Sequence, residues 1–200
     1  MKKVPLVWAQ LREWNGSLQT AFETLCNHFA AYEVVPQGSI FVPNAPPDGG
    51  VESYWILPDG SEWGFQAKFF TAKPDSSEWG QIDKSVKRAL ETHPKLSRYT
   101  ICMPIDRADP RKEDKQYFKD AWDNHEEKWI SLAKEESRTV RFDYWGETEL
   151  SERSTKGLLR LFSDHLPLLV KVMQAFKDVD DPYVSERLYC VAYGCVFSTG

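Results

Sequence analysis

Glu52, Gln66 and Lys68 set a carboxylate, an amide and an ammonium on two adjoining apolar stretches of a 200-residue chain. Carboxylate and amide oxygens are hard ligands suited to Mg²⁺ (or Mn²⁺), an ion that keeps several waters and takes only one or two protein carboxylates. The backbone carbonyl of Ala67 is a third oxygen within reach of the same place. A divalent ion held there polarises a phosphate and acidifies a water. Lys68 then orients that water or offsets charge that builds in the transition state. These are the parts of a metal-assisted phosphodiester hydrolase.

The three residues meet only if the chain turns correctly between them. Residues 51–57 and 62–70 are rich in aromatic and branched side chains and read as strands, with Pro58-Asp59-Gly60 between them. Proline suits the second position of a type I turn and glycine the left-handed residue that follows. A three-residue loop with a glycine bulge is the expectation. That loop pairs Leu57 with Ser61, sets Tyr54 opposite Gly64, and sets Glu52 opposite Gln66. Alternation then gives the second strand an apolar face (Phe65, Ala67, Phe69) and a polar one (Glu62, Gly64, Gln66, Lys68). A two-residue loop would slip the register by one and send Glu52 to the other face.

The remaining elements follow from pattern. Asn15 or Ser17 caps a first helix running to about Ala31, with Leu18, Ala21, Phe22, Leu25 and Phe29 as its apolar stripe. Glu23 lies at the edge of that stripe, either as a boundary residue with its head in water or reaching a site beside the sheet. Ser39–Val42 is a short strand, and the proline- and glycine-rich run 43–50 is a loop. A second helix begins at Asp75 to Ser77, buries Trp79, Ile82, Val86, Ala89 and Leu90, and stops at His93-Pro94. Tyr99–Ile105 is a strand. A third helix over about 113–136 buries Phe118, Ala121, Trp122, Trp129 and Leu132. Thr139–Trp145 is a strand, and 147–176 is mostly helical with a break at Pro167. Strand-helix-strand alternation after a leading hairpin predicts an α/β fold, a mixed sheet flanked by helices. Residues 1–177 read as one domain with a helical extension from about 147. Residues 178–200 read as a tail, with 188–197 an added edge strand or the start of a truncated following region.

Composition narrows the classes. Eight Trp, eleven Phe and eight Tyr argue for a packed core and against disorder. No apolar run reaches the roughly 18 residues of a membrane span, and the N-terminus lacks a secretory hydrophobic region. The four cysteines form no CxxC pair, which fits buried thiols in a reducing cytoplasm. A net charge of −5 argues against a protein that coats nucleic acid unspecifically. A local basic stretch from Lys84 to Lys119 remains, in which Gln81, Lys84 and Arg88 share a helix face and Arg111 follows in a charged loop. It reads either as a solvated surface or as a track for a DNA backbone.

Gly50-Val51-Glu52 followed by Gln66-Ala67-Lys68 resembles the PD-(D/E)xK nuclease superfamily, in particular its Mrr-like restriction endonuclease branch, which writes the final motif as Gln-x-Lys. The resemblance covers roughly residues 15–145. It implies a core of helix, three-stranded meander, helix and strand, a Mg²⁺-dependent deoxyribonuclease activity, and catalytic roles for Glu52, Gln66 and Lys68. More narrowly, Asp48–Glu52, Glu62–Phe70, Trp79–Val86 and Arg98–Asp106 resemble nuclease domains at the head of large bacterial NTPases, including STAND-type NTPases of anti-phage defence. That implies an associated NTPase or sensor part, and no P-loop signature occurs in these 200 residues. Two departures stand out. Glu52 takes the place of the usual Asp, with Asp48 as a rival, and Gln66 replaces the second acid, a lost charge that Glu23 would restore.

Other readings use the same residues. In one the fold is a non-catalytic module for DNA binding or assembly, and the Glu52 face is a polar sheet surface. In another an unrelated α/β protein binds partners through its tryptophans. Double-strand cleavage with one site per chain would require at least two chains.

Overall fold

A computed structural model describes residues 8, 11, 16–43, 49–107 and 118–153. The chain divides into two compact units, Met1–Glu152 and Arg153–Gly200. Expectations for 154–200, and those for Asp48 and Arg111, lie outside the described residues.

The first unit is a mixed α/β fold in the order α1 (Leu18–Ala31), β1 (Ile40–Pro43), β2 (Ser53–Ile56), β3 (Glu62–Ala67), α2 (Ser76–Thr92), β4 (Leu96–Cys102), α3 (Phe118–Glu135) and β5 (Arg141–Trp145). The five strands form one sheet in sequence order. β1, β2 and β3 are an antiparallel meander, whereas β4 and β5 each join parallel to the strand before. Parallel neighbours need crossovers, and α2 and α3 supply them.

Helices cover both faces. Phe22, Cys26 and Ala30 of α1 pack on Phe65, Ala67, Cys102 and Trp145. On the opposite face Trp79, Ile82, Val86 and Leu90 of α2 and Trp122 and Trp129 of α3 pack on Tyr99, Ile101 and Phe142. Of the polar face expected from the alternation of β3, Gly64 and Gln66 are buried and Glu62 and Lys68 half-buried. Gly64 through Ala67 are all buried, as parallel pairing under two helix layers requires.

The α2 stripe is buried as its spacing predicts, and Asp75 and Glu78 close a capping box at its start. Ser17 is the cap of α1. That helix is rotated from the expected stripe: Leu18, Leu25 and Phe29 are only half-buried, while the small residues Cys26 and Ala30 face the sheet. In α3 Ala133 is buried and Leu132 is exposed, reversing the expected choice. β2 and β3 are shorter than the apolar runs that signalled them. β4 starts at Leu96 and gives way after Cys102, just ahead of Pro104, which has no N–H for a ladder. A further helix opens at 147 and is described as far as 153.

Candidate functional site

The turn after β2 decides the register. Leu57 N–H donates to Ser61 O at 2.8 Å, and Gly60 N–H to Leu57 O at 2.9 Å. Gly60 takes φ +80°, the left-handed conformation that glycine adopts without a Cβ penalty. The loop thus has three residues, Tyr54 faces Gly64 and Ser53 faces Phe65. One step further, Glu52 comes to Gln66.

The regular ladder ends there. Glu52 N–H still donates to Phe65 O at 2.9 Å, but Ala67 N–H, instead of finding a strand carbonyl, donates to Glu52 Oε2 at 3.0 Å. The Gln66 amide nitrogen donates to Glu52 Oε1 and, at 3.4 Å, to the Ala67 carbonyl. Glu52 is 7% exposed and Gln66 4%. Buried polar atoms are ordinarily paired, yet Gln66 Oε1 finds no donor among the described residues.

With the Gln66 amide turned about its terminal torsion, the donor set is one that a hard cation takes. A carboxylate oxygen and a backbone carbonyl flank one amide nitrogen, and that nitrogen, with its partial positive charge, bridges them. The amide oxygen is left unsatisfied on the far side. Amide oxygen and nitrogen exchange places by a half-turn of the terminal torsion, which is soft. All three donors are oxygens of the kind Mg²⁺ takes. Among the described residues, no three His, Cys, Asp or Glu side chains converge as a metal set.

Lys68 lies one residue past β3. Its N–H donates to Cys102 O at 2.9 Å, so the strand geometry persists and the pleat turns its side chain to the Gln66 side. Lys68 is half-buried as a residue, and its ammonium makes no ion pair or hydrogen bond with a described residue. Beyond it the chain leaves the sheet: Phe70 N–H closes back on Lys68 O at 2.9 Å.

Glu23 comes to the same end of β3 from the α1 side. Its Oε1 accepts from Gln19 Nε2 at 2.7 Å, and Gln19 Oε1 accepts the Phe69 N–H at 3.3 Å. Burial pushes the Cys26 thiol well above its usual value; contact with Cys102 and then the charges of Glu52 and Glu23 push it further. Both carboxylates therefore lie in electrostatic range of one sulfur, although Glu23 is bonded to Gln19 and not to Gln66.

The segment that delivers Glu52 is held from above. Gly50 sits at φ +87°, and a Cβ on it would lie 2.3 Å from Ser85 O and 2.8 Å from Ala89 N of α2. Only glycine allows that approach. Thr92 Oγ lies 2.8 Å from both Gly49 O and Arg88 O, which share its single proton, and the Tyr99 hydroxyl donates to Gly50 O at 2.5 Å. Gln81, Lys84 and Arg88 are exposed on α2. The same Cβ would stand 3.2 Å from that of Arg88, so the basic helix face borders the loop leading to Glu52. Arg88 also pairs with Glu91 at 3.7 Å, an exposed contact of small worth.

Sequence reasoning did not single out Gln19, Thr92 or Tyr99. Gln19 precedes Glu23 by four residues, a helical pairing signal that was there to use. Thr92 and Tyr99 reach the site through tertiary contacts, for which the sequence carries no local sign.

No protein-family model matches this sequence, and no curated protein and no solved structure matches it at a significant level.

Proposed function

We propose that this domain is a metal-dependent DNA endonuclease of the PD-(D/E)xK kind, of the Mrr-like branch, acting as an effector in anti-phage defence. The observation that carries the reading is the junction of Glu52 and Gln66 where β2 leaves β3, with a buried amide oxygen that has no donor among the described residues. The element order supports it: α1, the β1–β2–β3 meander, α2 and a parallel β4 follow the sequence expected of a restriction-endonuclease-like core.

In this reading Glu52, Gln66 and the Ala67 carbonyl hold Mg²⁺ or Mn²⁺. Such an ion supplies Lewis acidity toward a phosphate and a more acidic water. Burial of Glu52 and Gln66 lowers the local dielectric and strengthens their grip on charge. Lys68, uncommitted to any described carboxylate, donates hydrogen bonds to the attacking water or to the phosphate oxygens as negative charge accumulates. Gln81, Lys84 and Arg88 take successive backbone phosphates without reading bases. Each chain contributes one site, so a double-strand break takes two chains.

Plasmid nicking in Mg²⁺ or Mn²⁺ tests this. Lys68→Ala abolishes cleavage while leaving the thermal midpoint nearly unchanged; cleavage by that variant at the wild-type rate would sink the proposal.

One observation favours a second reading. Both Glu52 oxygens already accept internal N–H groups, which suffices to close the end of a sheet in a non-catalytic DNA-binding or assembly module. Calorimetric titration with Mg²⁺ and Mn²⁺, with and without Glu52→Ala, separates the two. An intact domain that binds neither ion is the module.

A further inference from the structure

Glu52, one residue ahead of β2, is anchored to β3 by both its backbone and its side chain. Its own N–H makes the last backbone bond to β3, and the next N–H on that strand is taken by its side chain. The ladder therefore stops specifying the backbone at the residue whose carboxylate matters. Immediately upstream, Val51 is fully buried beside Gly64, where a Cβ would stand 3.2 Å from the valine methyl. Gly50 is wedged under α2, and its carbonyl receives the hydroxyl of the fully buried Tyr99. Gly49 O lies 2.8 Å from Thr92 Oγ and shares its proton with Arg88 O.

We propose that Tyr99 is a positioning residue for the Glu52–Gln66 site. Through the Gly50 carbonyl it fixes the point at which Glu52 departs from the sheet, and with it the reach of the carboxylate to Ala67 and Gln66. The proposal rests on the metal-dependent reading for its consequence in function, but its geometric content can be measured without any metal. Tyr99 stands on β4 opposite Gly64 and reaches the Glu52 segment through its hydroxyl bond to the Gly50 carbonyl. Thr92 acts in parallel from the exposed end of α2.

Ala67 N–H is the reporter, because its acceptor is the Glu52 carboxylate, whereas Lys68 N–H is bound by a backbone carbonyl. Tyr99→Phe keeps the ring and deletes the hydroxyl. Hydrogen exchange followed by NMR is expected to accelerate at Ala67 by about 10-fold or more relative to Lys68, and Mg²⁺ affinity is expected to fall by about 10-fold, as for other residues that orient ligands. Cleavage at saturating Mg²⁺ stays near the wild-type rate, a split between metal affinity and turnover. Thr92→Val, at a surface position, moves Ala67 exchange in the same direction and guards against a Tyr99→Phe chain that folds poorly. Ala67 and Lys68 exchanging in step in both variants would overturn the proposal and leave Tyr99 a packing residue. A wild-type chain that binds no divalent ion would instead remove the nuclease reading, and the exchange data would still decide what Tyr99 does.

Discussion

The carboxylate of Glu52 accepts the Ala67 amide at 3.0 Å, doing for the β3 backbone what a neighbouring strand's carbonyl would otherwise do. Removing it leaves two buried donors, Ala67 N–H and the Gln66 amide, without that acceptor. Glu52→Ala is therefore expected to lower unfolding free energy by about 2–6 kcal/mol, at about 1–3 kcal/mol per orphaned group. Lys68→Ala, which breaks no side-chain bond to a described residue, shifts it by less than about 0.5 kcal/mol. Urea denaturation of both variants gives the comparison, and it makes Lys68 the cleaner probe of catalysis.

Gln66→Glu tests the cation fit. It replaces a bridging N–H donor with a second carboxylate against Glu52, and two such neighbours cannot both ionise cheaply. Without divalent ions the variant melts below the wild type, and acidification narrows the gap as one carboxyl takes a proton. Millimolar Mg²⁺ raises its midpoint more than it raises that of the wild type. Thermal scans with and without Mg²⁺ measure this; equal responses would mean that the pocket has no affinity for a cation.

Two glycines, one in α2 and one in the loop beneath it, are expected to respond oppositely. Gly50→Ala meets backbone atoms at 2.3 and 2.8 Å from a left-handed φ, so α2 must lift. The expected cost exceeds about 3 kcal/mol. Gly80 lies exposed within α2, and a Cβ there meets nothing within 4 Å. Gly80→Ala is expected to stabilise by about 0.5–1 kcal/mol. Denaturant midpoints decide both.

Acid should loosen the hairpin turn. The Ser61 hydroxyl and then its N–H donate to Asp59, holding that carboxyl below its ordinary 3.8. A depressed folded pKa stabilises above the unfolded value and ceases to do so as pH falls through the folded one. The midpoint difference between wild type and Asp59→Ala is thus constant near neutrality and shrinks progressively as pH falls toward and below 3.8. An Asp59 titration by NMR checks the direction.

Charge reversal at Lys84 or Arg88 should weaken duplex binding equally across sequences. For every phosphate that goes unneutralised, the slope of log affinity against log salt falls by about 1. Binding isotherms over a salt series measure it, and an unchanged slope would take this helix face out of the DNA track.

Much of this arrangement is written locally. Pro58-Asp59-Gly60 sets the hairpin register, and the α2 stripe from Trp79 to Leu90 marks its buried face, because both depend on residues within a turn or two. Where large and small residues compete for the sheet, the sequence misleads. Cys26 and Ala30 are buried on α1 while Leu25 and Phe29 are only half-buried, and on α3 Ala133 is buried where Leu132 is exposed. The polar face expected of β3 lies at Gly64 and Gln66 in the buried interior, a burial that strand alternation alone cannot reveal. At the site, Glu52 and Gln66 were found through register, whereas the Tyr99 and Thr92 contacts to the glycine loop required the folded chain.

The stacking of Val51 against Gly64 and of Ser85 to Ala89 over Gly50 also couples loop and helix in assembly. Residues 49–51 and α2 fill one another's space, so neither reaches its native place without the other. Glu52 gains its final place in the same event. Pulse-labelled refolding should accordingly find the Ala67 amide protected together with the α2 core at Val86 and Ala89, and never ahead of it.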